Sequence, residues 1–195
     1  MRRYSLVVGA ALALFLTRGQ AAATSMLYQD VASLTQSSDA VVHGKVTKTE
    51  SRWSGDHKRI VTDVWVDVAE FLKGKGNKTV VVQQPGGEVD GIGQRVSGLA
   101  SFSEGEEVVL FLERQGTERY RLAGMAQGKF RVERSSDKTA TFVVPESVGD
   151  AELIDPQTRQ PAQADNRPME LSALRAKVRA AAKVPASEAQ RRKSP

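Results

Sequence analysis

Apolar positions recur along this chain with two different periods. Over residues 24–38 they fall at Leu27, Val31 and Leu34, a spacing of four and three that predicts a short amphipathic helix docked on the strands after it. From residue 39 the period drops to two. The stretch 59–72 (RIVTDVWVDVAEFL) alternates most clearly, with Ile60, Thr62, Val64, Val66 and Val68 on one face and Asp63, Trp65 and Asp67 on the other. Residues 39–49 carry Val42, Gly44 and Val46 on one face, and a glycine inside a strand marks a bend, a bulge or a close backbone approach. Further strands are predicted over 79–84, 107–113, 119–123, 129–133 and 139–144, with turns at 54–58, 73–78 and 135–138. Seven short strands argue an all-β domain, and two long opening strands, one with a mid-strand glycine, suit a small barrel better than a flat sandwich. The expected core is Val42, Val46, Ile60, Val64, Val66, Val68, Val81, Leu110 and Leu112.

The two ends follow other rules. Residues 1–23 read as a secretory signal, with Arg2 and Arg3 ahead of the eleven-residue apolar run 6–16 and Ala21–Ala23 as the cleavage site. Eleven residues span only about half of a bilayer's hydrocarbon core, so no transmembrane span is expected after processing. The barrel domain is expected over 24–150 and an aperiodic linker over 151–167. A helix is expected over 168–183, opened by Pro168, with Leu171, Leu174 and Val178 on one side and basic residues on the other. Docking on the barrel is the expected use of so thin an apolar stripe. Residues 184–195 read as a disordered tail.

Composition narrows the function classes. There is no cysteine in 195 residues, which excludes a disulfide scaffold, a thiolate nucleophile, an iron–sulfur cluster and Cys-ligated zinc. Two histidines, His43 and His57, form no HExxH pair. The net charge of +5 belongs to the ends: the leader holds three arginines and residues 151–195 hold nine basic and five acidic side chains, which leaves 24–150 slightly acidic. A nucleic-acid surface needs its basic patch on the folded domain, so no nucleic-acid partner is expected.

Catalytic patterns are sparse. The segment 85–98 (PGGEVDGIGQRVSG) has five glycines but neither GK[ST] nor GxGxxG, so it is not a nucleotide loop. Its glycines fit a tight, aperiodic loop; the weaker alternatives are an anion cradled by its backbone amides or a cation near Glu88 and Asp90. The SSDK at 135–138 has the S-x-x-K spacing of serine acyl enzymes but sits where a hairpin turn belongs. Asp63 and Asp67, on the non-core face of their strand, are expected to be solvated, the glutamates of 104–107 to surround Gly105 in a turn, and neither set to build a pocket for paired-carboxylate chemistry. No catalytic residue, cofactor or metal set is therefore assigned. Trp65, on the polar face of its strand, is either covered by a terminal helix or a partner anchor, and Trp53 at a strand end is a candidate anchor.

The succession SDAVVHGKV, FLKG (71–74), QPGGE, FSEGEEVVLFL (102–112) and GMAQGKF (124–130) resembles the netrin-module superfamily of secreted OB-fold barrels, which includes the tissue inhibitors of metalloproteinases. It is also similar to a group of exported bacterial proteins with the same phrases. The resemblance implies a small OB-like Greek-key barrel with a short N-terminal helix and a C-terminal helix. In the inhibitors an N-terminal cysteine chelates the protease zinc and disulfides pin it. This chain has no cysteine, so no inhibitory residue is carried over.

The expected function is an exported, periplasmic or secreted, protein-binding module, with a secreted protease as the partner class the resemblance implies. Its expected contact residues are Thr24 at the processed N-terminus, Trp53, and Gly86, Gly87, Glu88, Asp90, Gly91, Gly93 and Arg95 of the glycine segment. The alternative is an envelope-associated protein whose basic tail touches anionic surface polymers. A second alternative is an enzyme of a type its residues do not declare.

Overall fold

The structure, a computed structural model, describes residues 24–184. The expected leader, and the expected tail after its first residue, lie outside the described residues. Among the described residues thirteen strands and two α-helices, with one 3-10 turn at Met125–Gly128 between β8 and β9, run in the order β1 (Ser25–Leu27), α1 (Val31–Ser37), β2 (Ala40–Trp53), β3 (Ile60–Lys73), β4 (Thr79–Pro85), β5 (Gly87–Val89), β6 (Ile92–Gln94), β7 (Glu107–Gln115), β8 (Arg119–Leu122), β9 (Lys129–Arg134), β10 (Thr141–Pro145), β11 (Glu152–Ile154), β12 (Pro161–Ala162), β13 (Met169–Glu170) and α2 (Leu171–Ala182).

Five of these strands form a ring. β2, β3 and β4 pair antiparallel in succession, β4 pairs β8 in parallel, β8 pairs β7 antiparallel, and β7 returns antiparallel to β2. This closed five-stranded Greek-key arrangement is OB-like, as expected. Val42, Val46, Val64, Val66, Val80, Val82, Leu110 and Leu112 fill its interior. Of the expected core, Ile60 is also buried and Val68 packs half-buried against the interior. Val81 is the correction. It points outward, because the ladder sets Val82 opposite Val64 and Val80 opposite Val66. Three consecutive valines carry no alternation of their own, so only the partner strand fixes which of them face inward.

The sheet continues past the ring through β7–β9, β9–β10 and β10–β13. The outer faces of β2 and β7 are therefore covered as well. Val41, Val109, Phe111, Phe130 and Val143 meet Leu34 of α1 and Leu171, Leu174 and Val178 of α2 in a second core. Burial on both faces explains why residues 107–113 read as a near-continuous apolar run. The helix predicted near the C-terminus docks through its expected face, and Arg175 and Arg179 on its flank both pair with Glu70 of β3.

The N-terminal helix is shorter than its apolar spacing predicts. Asp30 caps it, with Oδ1 accepting from the Ser33 N–H at 2.7 Å, so α1 starts only at Val31. Residues upstream pair in parallel with β11 instead, leaving Leu27 at 47% exposure. The same sheet takes β12, so the stretch read as a linker over 151–167 contains two short paired strands. Among the described residues no helix is long and apolar enough to cross a membrane.

Candidate functional site

The glycine segment folds as a two-residue hairpin rather than an aperiodic loop. Val89 and Ile92 face each other, Glu88 pairs Gly93 and Gly87 pairs Gln94. Between them Asp90 and Gly91 both take positive φ, 53° and 75°, the geometry of a type I′ turn. Asp-Gly flanked by two β-branched residues is the sequence signal for this turn; counting glycines alone passes over it.

The base of the hairpin is fastened to the far end of the β2–β3 ribbon. The Gly86 N–H donates to the Ile60 carbonyl at 2.8 Å, the Ile60 N–H donates to Gln94 Oε1 at 2.7 Å, and Thr62 Oγ1 donates to the Gly86 carbonyl at 2.7 Å. The hydroxyls of Ser51 and Thr62 lie where a side chain on Gly87 would point. Along the hairpin and just after it, Glu88, Asp90, Gly91, Gly93, Gln94 and Arg95 are all exposed, and Ile92 beside the turn is 54% exposed. Trp53, half-buried, is the last residue of β2 and pairs with Ile60, so it shares this end of the barrel with the hairpin. Thr24 belongs to a different neighbourhood. Its carbonyl accepts from the Glu152 N–H at 3.0 Å beside β1. The expected contact set therefore divides into Trp53 with the hairpin, and Thr24 on the β1–β11 sheet.

The tip glycines make separable predictions. Gly91→Ala is expected to cost about 1–2 kcal/mol, because its φ is left-handed although nothing lies within 4 Å of the added carbon. Gly93→Ala meets the same open space without that φ and is expected to stay within about 0.5 kcal/mol. Urea unfolding of both variants checks this, and equal losses would contradict the type I′ assignment.

Other polar groups are buried against expectation. Asp63 is 4% exposed and not solvated, since Arg52 Nε donates to Oδ2 at 3.0 Å and Gln83 Nε2 to Oδ1 at 2.6 Å. Asp67 does stay exposed, accepting from Thr79 Oγ1. Trp65 is half-buried beneath the Lys48 ammonium, 4.8 Å from its ring centre. The 135–138 segment is the β9–β10 turn, where hydrogen bonds from Ser135 and Thr139 lower the Asp137 carboxyl to about 2.

The glutamates at 106 and 107 are likewise drawn into ion pairs. Glu106 holds Lys129, while Glu107 meets His43 Nε2 at 2.8 Å and Arg134 at 2.6 Å. Arg175 can only donate to His43 Nδ1, 3.4 Å away, which leaves Nε2 as the protonated nitrogen that donates to Glu107. Burial pushes the Glu107 carboxyl up, but hydrogen bonds from Arg134 and His43 outweigh it and hold the group below the ordinary 4.5. A carboxyl lowered on folding stabilises the fold fully above its unfolded value, and that contribution is lost as pH falls through the folded value. The stability gap between the wild type and Glu107→Gln should therefore be widest near neutral pH and close on acidification. Urea midpoints measured down to about pH 3 test the sign, and a constant gap would refute it.

Among the described residues no three His, Asp or Glu side chains gather as a metal set. Compared with known proteins, the chain matches no family model and no curated sequence.

Proposed function

We propose that the chain is an exported protein-binding module that grips its partner with the 85–98 hairpin and the neighbouring Trp53, a secreted protease being the partner class implied by the resemblance to netrin modules. One observation carries this reading. The hairpin is fixed at its base by three hydrogen bonds and bare at its tip, where a large apolar side chain stands in solvent. A preorganised projection loses little conformational entropy on binding, and an exposed apolar residue at its tip, on the same end of the barrel as Trp53, gives it a contact worth making. The envelope reading has less support, because Arg175 and Arg179 on α2 are engaged by Glu70.

Affinity capture from the envelope and culture fractions of the source organism, at low and moderate salt, tests the proposal. Recovery of one defined protein at both salts is expected, with Ile92→Asp reducing the yield about tenfold while the melting temperature holds. Capture of heterogeneous acidic material that vanishes with salt would favour the envelope role instead.

A further inference from the structure

Between α1, the end of α2 and the strand end at Pro145 the fold leaves a cavity of about 650 Å³, room for a small organic ligand. Leu34 and Phe130 line it fully buried, while Val31, Val148, Met169 and Val184 line it half-buried. Those four side chains leave water completely only when something apolar fills the space between them.

The charged groups of the lining are already engaged within the fold. Both oxygens of Asp165 accept from the Arg167 guanidinium, at 2.8 and 2.9 Å. Glu146 accepts from Lys129 at 2.9 Å and from the Ser101 hydroxyl at 3.2 Å. Asp30 caps α1 through the Ser33 N–H. Asp30 and Lys177, the two lining charges without a direct ion pair among the described residues, are opposite in sign and both exposed, so the rim favours neither sign of ligand. The uncharged polar groups differ. The Tyr28 hydroxyl and the side-chain amides of Gln36 and Asn166 belong to the same lining, and none of them makes a hydrogen bond among the described residues.

We propose that this cavity binds an uncharged amphiphile, with an aliphatic or aromatic body among the apolar side chains and a hydroxyl or amide head hydrogen-bonded to the neutral polar groups. A neutral head makes its bonds without displacing any internal ion pair. A charged head of either sign surrenders hydration to a lining whose countercharges are spent or screened. The site lies on other elements than the hairpin, so it stands or falls independently of the protein-binding role.

Calorimetric titration of the purified chain with 1-octanol, 1-hexanol, n-octylamine and octanoate at neutral pH tests this. 1-Octanol should bind one-to-one, about tenfold more tightly than either ion of the same chain length. 1-Hexanol should bind about fifteenfold more weakly than 1-octanol, the loss expected for two methylenes taken out of water. Tyr28→Phe, Gln36→Ala and Asn166→Ala combined should weaken 1-octanol about fivefold, whereas Lys177→Met should leave it unchanged. Ala180→Trp, on the exposed rim, should abolish binding while the melting temperature is kept. Absence of 1-octanol binding would overturn the proposal, as would octylamine or octanoate binding as tightly as the alcohol. Undiminished binding in the triple variant, or in a folded Ala180→Trp protein, would overturn it too. So would binding that appears only after removal of residues 185–195, which would make the chain's own tail the occupant.

Discussion

Lys129→Met is expected to lower the unfolding free energy by about 3–5 kcal/mol. Lys129 is the first residue of β9 and only 1% exposed. Its ammonium lies 2.8 Å from Glu106 and 2.9 Å from Glu146, donates to the Ser101 carbonyl, and sits 4.8 Å over the Phe102 ring. Those partners come from the approach to β7 and from the end of β10, so one side chain ties three separate passes of the chain together. Methionine fills the same volume but leaves two mostly buried carboxylates side by side with no counter-ion. That unpaired charge, more than the lost attraction, is what costs stability. Combining Lys129→Met with Glu106→Gln and Glu146→Gln should recover most of the loss. Urea midpoints at unchanged slope measure both effects. A single-variant loss below about 1 kcal/mol would mean that the cluster behaves as a solvated surface pair.

Gly44→Ala is expected to cost about 3 kcal/mol, at the top of the range for inserting one methyl into a packed interior. Gly44 lies on β2 next to an irregularity in its pairing with β3, opposite Val68 on one side and Val108 on the other. A methyl group there would land on the Asp67 carbonyl oxygen, with Val66 Cγ1 at 2.9 Å. The obstacle is backbone of the partner strand, which cannot rotate away, so the two longest strands would have to separate at this point. Gly55→Ala, in the exposed turn between those strands with nothing within 4 Å, is the control and should change stability by less than about 0.5 kcal/mol. Matching losses at the two positions would show that glycine entropy, and not the close approach, governs the effect.

The role of Gly44 is legible in the sequence alone, because a glycine inside an otherwise alternating strand has few other uses. The same holds for the apolar face of α2, whose Leu171, Leu174 and Val178 all reach the second core. The Asp90-Gly91 turn is equally present in the sequence, as two residues between Val89 and Ile92. It is obscured by the other glycines around it, two of which serve the hairpin's base rather than its turn.

What the sequence determined by itself was therefore local. Periods of two and of three to four are properties of neighbouring residues, and they set the strands, the C-terminal helix and the all-β class with no knowledge of partners. Which valine of 80–82 faces inward, why β2 and β7 are buried on both sides, and where Leu27 goes depended on strands and helices far along the chain. The charged groups show this most clearly. Asp63 is buried because Gln83 and Arg119 reach it from β4 and β8. Lys129 is tolerated in the interior because Glu106 and Glu146 meet there. A carboxylate or an ammonium leaves water only when its counter-ion arrives too, and that meeting is made by the tertiary fold and not by the local sequence.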